Sequence, residues 1–153
     1  MAFTPSPAFV QVNSAAPTGR ASTTGVMLGL GATLVPQATG RIIVLATGIV
    51  ANGTSGDGAT FQLYYGSNAV PTNNEAVATA AGTAFGGLNV ISSFVTTELG
   101  QSFAISGSFS VAAPQYLGTG IQPTIVTYWI DLNFLSSAGT VTFTTVNLLA
   151  WEV

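Results

Sequence analysis

The residues of this chain that could do chemistry are few enough to name. The charged side chains are Arg20, Arg41, Asp57, Glu75, Glu98, Asp131 and Glu152, and there is no Lys, His or Cys. Without imidazole, thiol or amine, the usual general bases, soft metal ligands and activated nucleophiles are missing. A Ser-His-Asp triad cannot be assembled. A pair of carboxylates could hydrolyse a glycosidic bond, but the acids here are scattered over different segments. Asp131 stands out because it lies in an apolar stretch, "YWIDLNF". A buried carboxylate needs a partner, and Arg41 is the expected one, in a structural ion pair. The expectation is a protein that is not an enzyme and holds no cofactor or metal.

The glycine-rich stretch "NGTSGDGATFQLYYG", 52–66, invites three other chemistries. A phosphate-binding P-loop needs G-x-x-x-x-G-K-[ST] before a helix. Gly53 and Gly58 have the spacing, but Ala59 stands where the Lys would be and a strand pattern follows. A calcium loop needs several carboxylates at alternating positions, and Asp57 is alone. Asn52-Gly53-Thr54 matches the glycosylation sequon, which reads as a turn because the N-terminal residues lack the basic and apolar regions of a signal peptide. Asn-Gly and Asp-Gly both favour positive φ, so the stretch is read as a connection between strands.

Aromatic side chains are the remaining candidates. Tyr64, Tyr116 and Trp129 could stack on a sugar or pack in an interface. In "YW", 128–129, one ring falls on each face of its strand.

Composition says what surrounds these residues. Charged residues make up 5% of the 153, against roughly 25% in ordinary globular proteins. Hydrophobic residues make up 48%, so this is not a disordered chain. A surface so neutral is expected to be covered by partner subunits. A net charge of -3 with two Arg argues against a nucleic-acid partner, which requires a basic patch. No apolar run approaches the ~20 residues of a membrane helix, and the aromatics do not form the girdles of a membrane barrel. No membrane partner is expected.

The pattern from Val26 onward is β. In "SFAISGSFSVA", Phe103, Ile105, Gly107, Phe109 and Val111 share one parity and Ser102, Ala104, Ser106, Ser108 and Ser110 the other. "GRIIVLATGIVA", 40–51, is apolar on both parities, which predicts a strand buried on both faces. "NNEAVATAAGTA", 73–84, predicts a long loop with one helical turn. Seven or eight strands joined by turns and long loops predict an all-β fold, a jelly-roll-like β-sandwich over 25–153. Residues 1–24 read as an extended N-terminal arm, broken by Pro5, Pro7 and Pro17 and anchored by Phe3, Phe9 and Val10. About 20 such residues at ~3.3 Å each reach roughly 65 Å. The arm is expected to dock on a neighbour or on its own domain, and removal of 1–22 to leave the body folded.

With Gly40–Val44, Gly48–Val50, Asp57–Thr60, Gln62–Gly66 and Ala69–Pro71, and with "YWIDLNF" and "VTFTTVNLLAWE" near the C-terminus, the chain resembles small tailed-phage virion proteins of the jelly-roll capsid decoration, or cement, type. The likeness runs over roughly two-thirds of the sequence and consists of turn and strand patterns. It implies a homotrimer that binds the major capsid protein and sits on the capsid exterior after assembly in the host cytoplasm. It carries over no catalytic residue. The alternative is a tail or fibre module that recognises a host glycan through loop aromatics such as Tyr116.

Overall fold

The structure is a computed structural model that describes residues 8–15, 24–53, 57–91, 100–112, 125–136 and 140–153. Within them the order is β1 (Phe9–Ala15), β2 (Val26–Met27), β3 (Ala32–Leu34), β4 (Arg41–Asn52), β5 (Ala59–Gly66), α1 (Val77–Ala80), β6 (Thr83–Ile91), β7 (Gln101–Ser110), β8 (Tyr128–Ser136) and β9 (Val141–Glu152). Sheet A has the order β1-β9-β4-β7 and sheet B the order β2-β8-β5-β6, with β3 also pairing β8. Every pairing is antiparallel. With β2 and β3 taken as halves of one strand, successive strands alternate between sheets except at the β5–β6 hairpin. That is the strand order of a jelly roll. The expected sandwich is therefore present.

Period-2 alternation builds the core. Ile42, Val44 and Ala46 of β4 point inward against Phe61 and Leu63 of β5 and Ile130, Leu132 and Phe134 of β8, all buried. Phe61 stacks on Phe103 at 4.6 Å between ring centres and meets Phe143 edge-on at 6.1 Å, while Tyr65 stacks on Phe109 at 4.0 Å. These are favoured aromatic geometries. In β9 the inward parity changes at a bulge. Val141 and Phe143 point inward before it, and Val146, Leu148 and Ala150 after it, because the register with β4 shifts between Ile49 and Val50.

A second, smaller core lies on the outer face of sheet B. Met27, Ala80 and Trp129 are buried there with Tyr64 and Val77 against them. The segment 67–82, with its single helical turn, forms the cover. It is laced down by Met27 N–H to Glu75 O at 2.9 Å and Asn74 N–H to Met27 O at 3.0 Å.

One side of the sandwich is closed by direct contact between the end strands β6 and β7. A Cβ on Gly107 would lie 2.7 Å from the Gly86 Cα, so only glycine lets the backbones touch. Asn89 Nδ2 donates across the seam to Ala104 O at 3.0 Å.

The N-terminal region departs from the expected arm. Phe9–Ala15 is strand β1 of the body, paired along its length with β9 from Phe9↔Trp151 to Ala15↔Thr145. Strand pairing, not a free extension, satisfies its backbone groups. Phe3 and residues 16–23 lie outside the described residues. The boundary at 24/25 thus falls after a strand the body needs, and removal of 1–22 would strip β9 of a neighbour. Deleting 1–7 is expected to leave the thermal midpoint within a few degrees of wild type. Deleting 1–15 is expected to lower it by at least 5–10 °C, at roughly 2–4 °C per kcal/mol for a chain of this size. Differential scanning calorimetry on the two truncations decides.

Candidate functional site

Three of the acids, Glu152, Asp131 and Glu75, accept hydrogen bonds from backbone N–H groups. The last residue of β9, Glu152, falls on the inward parity of Val146, Leu148 and Ala150 and is buried. Its carboxylate accepts from Ala8 N at 3.2 Å and Gln37 N at 2.8 Å through Oε2. Through Oε1 it accepts from Ala38 N at 2.9 Å, Thr39 N at 2.6 Å and Gly40 N at 2.7 Å. Burial by itself would raise the pKa of this group. The amides of Gln37, Gly40, Ala38 and Ala8 overcome that and hold it at about 2, below the ordinary 4.5.

Asp131 is also buried, on the outer parity of β8. Its carboxylate accepts from Gly29 N at 2.8 Å, Leu30 N at 3.2 Å and Leu132 N at 2.8 Å. Gly29 has φ +69°, and the chain bends around the carboxylate there, which is why one strand is split into β2 and β3. Glu75 accepts from the backbone N–H and hydroxyl of Thr72.

The expected Arg41–Asp131 pair is corrected by this geometry. Arg41 is exposed on the outer face of sheet A, opposite in parity to buried Ile42. Asp131 is on the outer face of sheet B, so the whole sandwich lies between them. Sequence reasoning missed the role of Glu152. The signal was its place two residues beyond Ala150 on the parity of the core.

Of the candidate aromatics, Trp129 and Tyr64 are packed into the body. Trp129 is 1% exposed. Its Nε1 donates to Asn68 Oδ1 at 2.9 Å, and Gly66 and Gly82 wall its ring. Tyr64 is half-buried against the same cluster. Tyr116 lies outside the described residues. No group of three metal-ligating side chains occurs among the described residues. The loop of 52–58 joins strands of different sheets, and its residues 54–56 are outside the described set.

What the fold leaves open is the outer face of sheet A. Cross-strand pairs set its rows: Phe9, Trp151, Ile43 and Ser108 in one, Gln11, Leu149, Leu45 and Ser106 in the next. Phe9 is 64%, Leu45 36% and Ile49 40% exposed. A shallow groove of about 190 Å³ runs beside Gln11, Leu45, Thr47 and Leu149. Another, of about 250 Å³, runs beside Arg41, Ile43, Ser108 and Val153. Arg41 is the only charge among these residues. Val10, half-buried, packs its opposite face into the core. The expectation that β4 is buried on both faces therefore holds on the inner face only. Sheet B has its own cover in 67–82, and the outer face of sheet A has none among the described residues.

The strand order and this face define a jelly-roll β-sandwich whose open surface is suited to contact. No protein-family model matches the chain, and no curated protein matches it in sequence. Among solved structures, it is similar to the infectious bursal disease virus VP2 subviral particle, with TM-score 0.47 and 13% identity over 95% of this chain. It spans only 37% of that VP2 chain. It is similar to the PRD1 vertex protein P5, with TM-score 0.46 and 12% identity over 99% of both chains. A carbohydrate-binding module from Cellvibrio mixtus lichenase 5A, in complex with cellotriose, gives TM-score 0.39 and 11% identity over 91% of this chain and 95% of its own. The jelly-roll assignment rests on the strand order itself.

Because the Glu152 pKa is lowered on folding, its stabilisation is complete above about 4.5 and is lost as pH falls toward about 2. Glu152→Gln is expected to cost about 3 kcal/mol at pH 7, since several buried amides lose a charged acceptor. It is also expected to flatten the stability profile between pH 5 and 2 relative to wild type. Urea melts across that range check both effects.

Proposed function

We propose that the chain is a structural protein of a bacteriophage virion, a decoration or cement protein of the capsid exterior. It acts by contact alone, as a homotrimer seated on the major capsid protein, and catalyses no reaction. Assembly takes place in the host cytoplasm. The observation that carries this reading is the outer face of sheet A. A strand whose sequence is apolar on both sides is covered on one side, and the uncovered side bears a single charge. Monomeric surfaces rarely leave such a face open. Covering it gains about 25 cal/mol per Å² of apolar area, and in a symmetric shell the gain recurs at every copy. The missing His, Lys and Cys, and the commitment of Glu152, Asp131 and Glu75 to backbone amides, support a role without chemistry.

A jelly roll also serves lectins, and fold does not choose between such roles. The glycan-binding reading depended on Tyr64, Tyr116 and Trp129. Burial of Trp129 and packing of Tyr64 remove two of these from any sugar-stacking platform.

Copy number in purified virions tests the proposal. Quantitative mass spectrometry is expected to find the chain at a level comparable to the shell protein. A handful of copies, or none, would overturn the decoration role.

A further inference from the structure

The segment 67–82 covers the outer face of sheet B while burying little of itself. Pro71 and Ala80 are buried, Glu75, Val77 and Gly82 are half-buried, and the rest of it is exposed. In β4, by contrast, Ile42, Val44, Ala46 and Val50 are all fully buried. The cluster beneath the segment, built on Met27, Ala80 and Trp129, is separate from the main core. Its helix α1 is a single turn, and Ala76 at its start supplies no side-chain cap. A turn that short depends on packing to persist.

The ties that hold it down are specific. Asn68 Oδ1 accepts from Trp129 Nε1 at 2.9 Å, and Asn68 Nδ2 donates to Ala80 O at 2.7 Å, so one side chain links the start of the segment to its end and to the sheet. Elsewhere the segment lies along β2, the end strand of sheet B, through an antiparallel bridge between Val26 and Ala76. Met27 donates its N–H to Glu75 O at 2.9 Å and accepts from Asn74 N at 3.0 Å. These bonds fill backbone positions that an edge strand otherwise leaves unpaired. The next amide points the other way, from Leu28 N to Leu132 O of β8 at 2.9 Å. Two adjacent buried residues therefore report on different attachments, Met27 on the segment and Leu28 on the sheet. Segments with few buried apolar contacts and solvent-exposed backbone open at lower free energy than the cores they cover.

We infer that 67–82 is a strap that opens as a unit while the sandwich stays folded, with Asn68 as its pin. Opening uncovers Trp129 and Met27 and frees the backbone edge of β2. The molecule then has two conformations, one with that edge covered and one with it bare. The strap uses only contacts within one copy, so it stands apart from the virion role.

Amide hydrogen exchange on the full chain, read residue by residue by NMR, tests it. Met27 and Leu28 are 0% and 2% exposed, so surface access does not separate them. The Met27 amide is expected to exchange about a hundredfold faster than the Leu28 amide, because strap opening releases the first and only loss of the β2–β8 pairing releases the second. The Asn74 amide is expected to exchange at the Met27 rate. Asn68→Ala removes two hydrogen bonds from the pin and is expected to speed Met27 exchange roughly tenfold, with Leu28 unchanged. Equal rates at Met27 and Leu28 in the wild type would overturn the strap, since the segment would then part only together with β2. Acceleration of both amides in the variant would show Asn68 holding the sheet and not the strap, and no acceleration would remove it as the pin. If circular dichroism shows Asn68→Ala unfolded, Asn68→Asp takes its place. That variant keeps the acceptor for Trp129, loses the donor to Ala80, and is expected to act in the same direction.

Discussion

The Glu152 carboxylate is the constraint on which the rest of this sandwich depends. A jelly roll must bring the start of its first strand, the connection between its third and fourth positions and the end of its last strand to one corner. Those segments bring backbone N–H groups that have no ladder partner. One buried anion collects them, from Ala8 and from residues 37–40. The arrangement is stable because each side solves the problem of the other. The amides solvate a charge that burial would otherwise neutralise, and the charge satisfies donors that burial would otherwise orphan.

Asp131 repeats the device on the opposite side of the molecule, around the bend that splits β2 from β3. Glu75 does so on a smaller scale at the start of the covering segment. In a chain with five acids, committing carboxylates to the backbone has a visible result: the described surface is left nearly neutral. Low charge and open apolar faces are therefore two aspects of one design. Glu152, Asp131 and Glu75 serve the fold through these hydrogen bonds.

Much of this was legible in the sequence. The alternation in β7 assigned its inner and outer faces residue by residue, and the helical turn near Val77 was evident from its alanines. The two-sided apolar pattern of β4 predicted burial on both faces, and among the described residues only its inner face is covered. What could not be read was pairing at long range. Nothing local to Phe9–Ala15 says that it belongs beside β9, since a short, proline-flanked segment suits an arm as well as an edge strand. The Arg41–Asp131 pairing failed for the same reason. Opposite charges were matched by type, while the parity of each strand sends them to opposite outer faces. Trp129 misled because a large aromatic next to a polar loop looks the same in sequence whether glycines open a slot for it or leave it bare.

The position of β9 has a further consequence, in time. It lies inside sheet A, between β1 and β4, and pairs with residues as much as 142 positions earlier, Phe9 with Trp151. During synthesis β1, β4 and β7 emerge without the strand that joins β1 to the others. Sheet A is therefore completed late, by contacts of the longest sequence separation, which form slowly because loop closure precedes their reward. A nascent or truncated copy lacking β9 has neither Leu149 nor Trp151 beside Leu45 and Ile43, and so has no finished face to present. Order of synthesis thus leaves sheet A incomplete, with β1 apart from β4 and β7, until β9 has emerged.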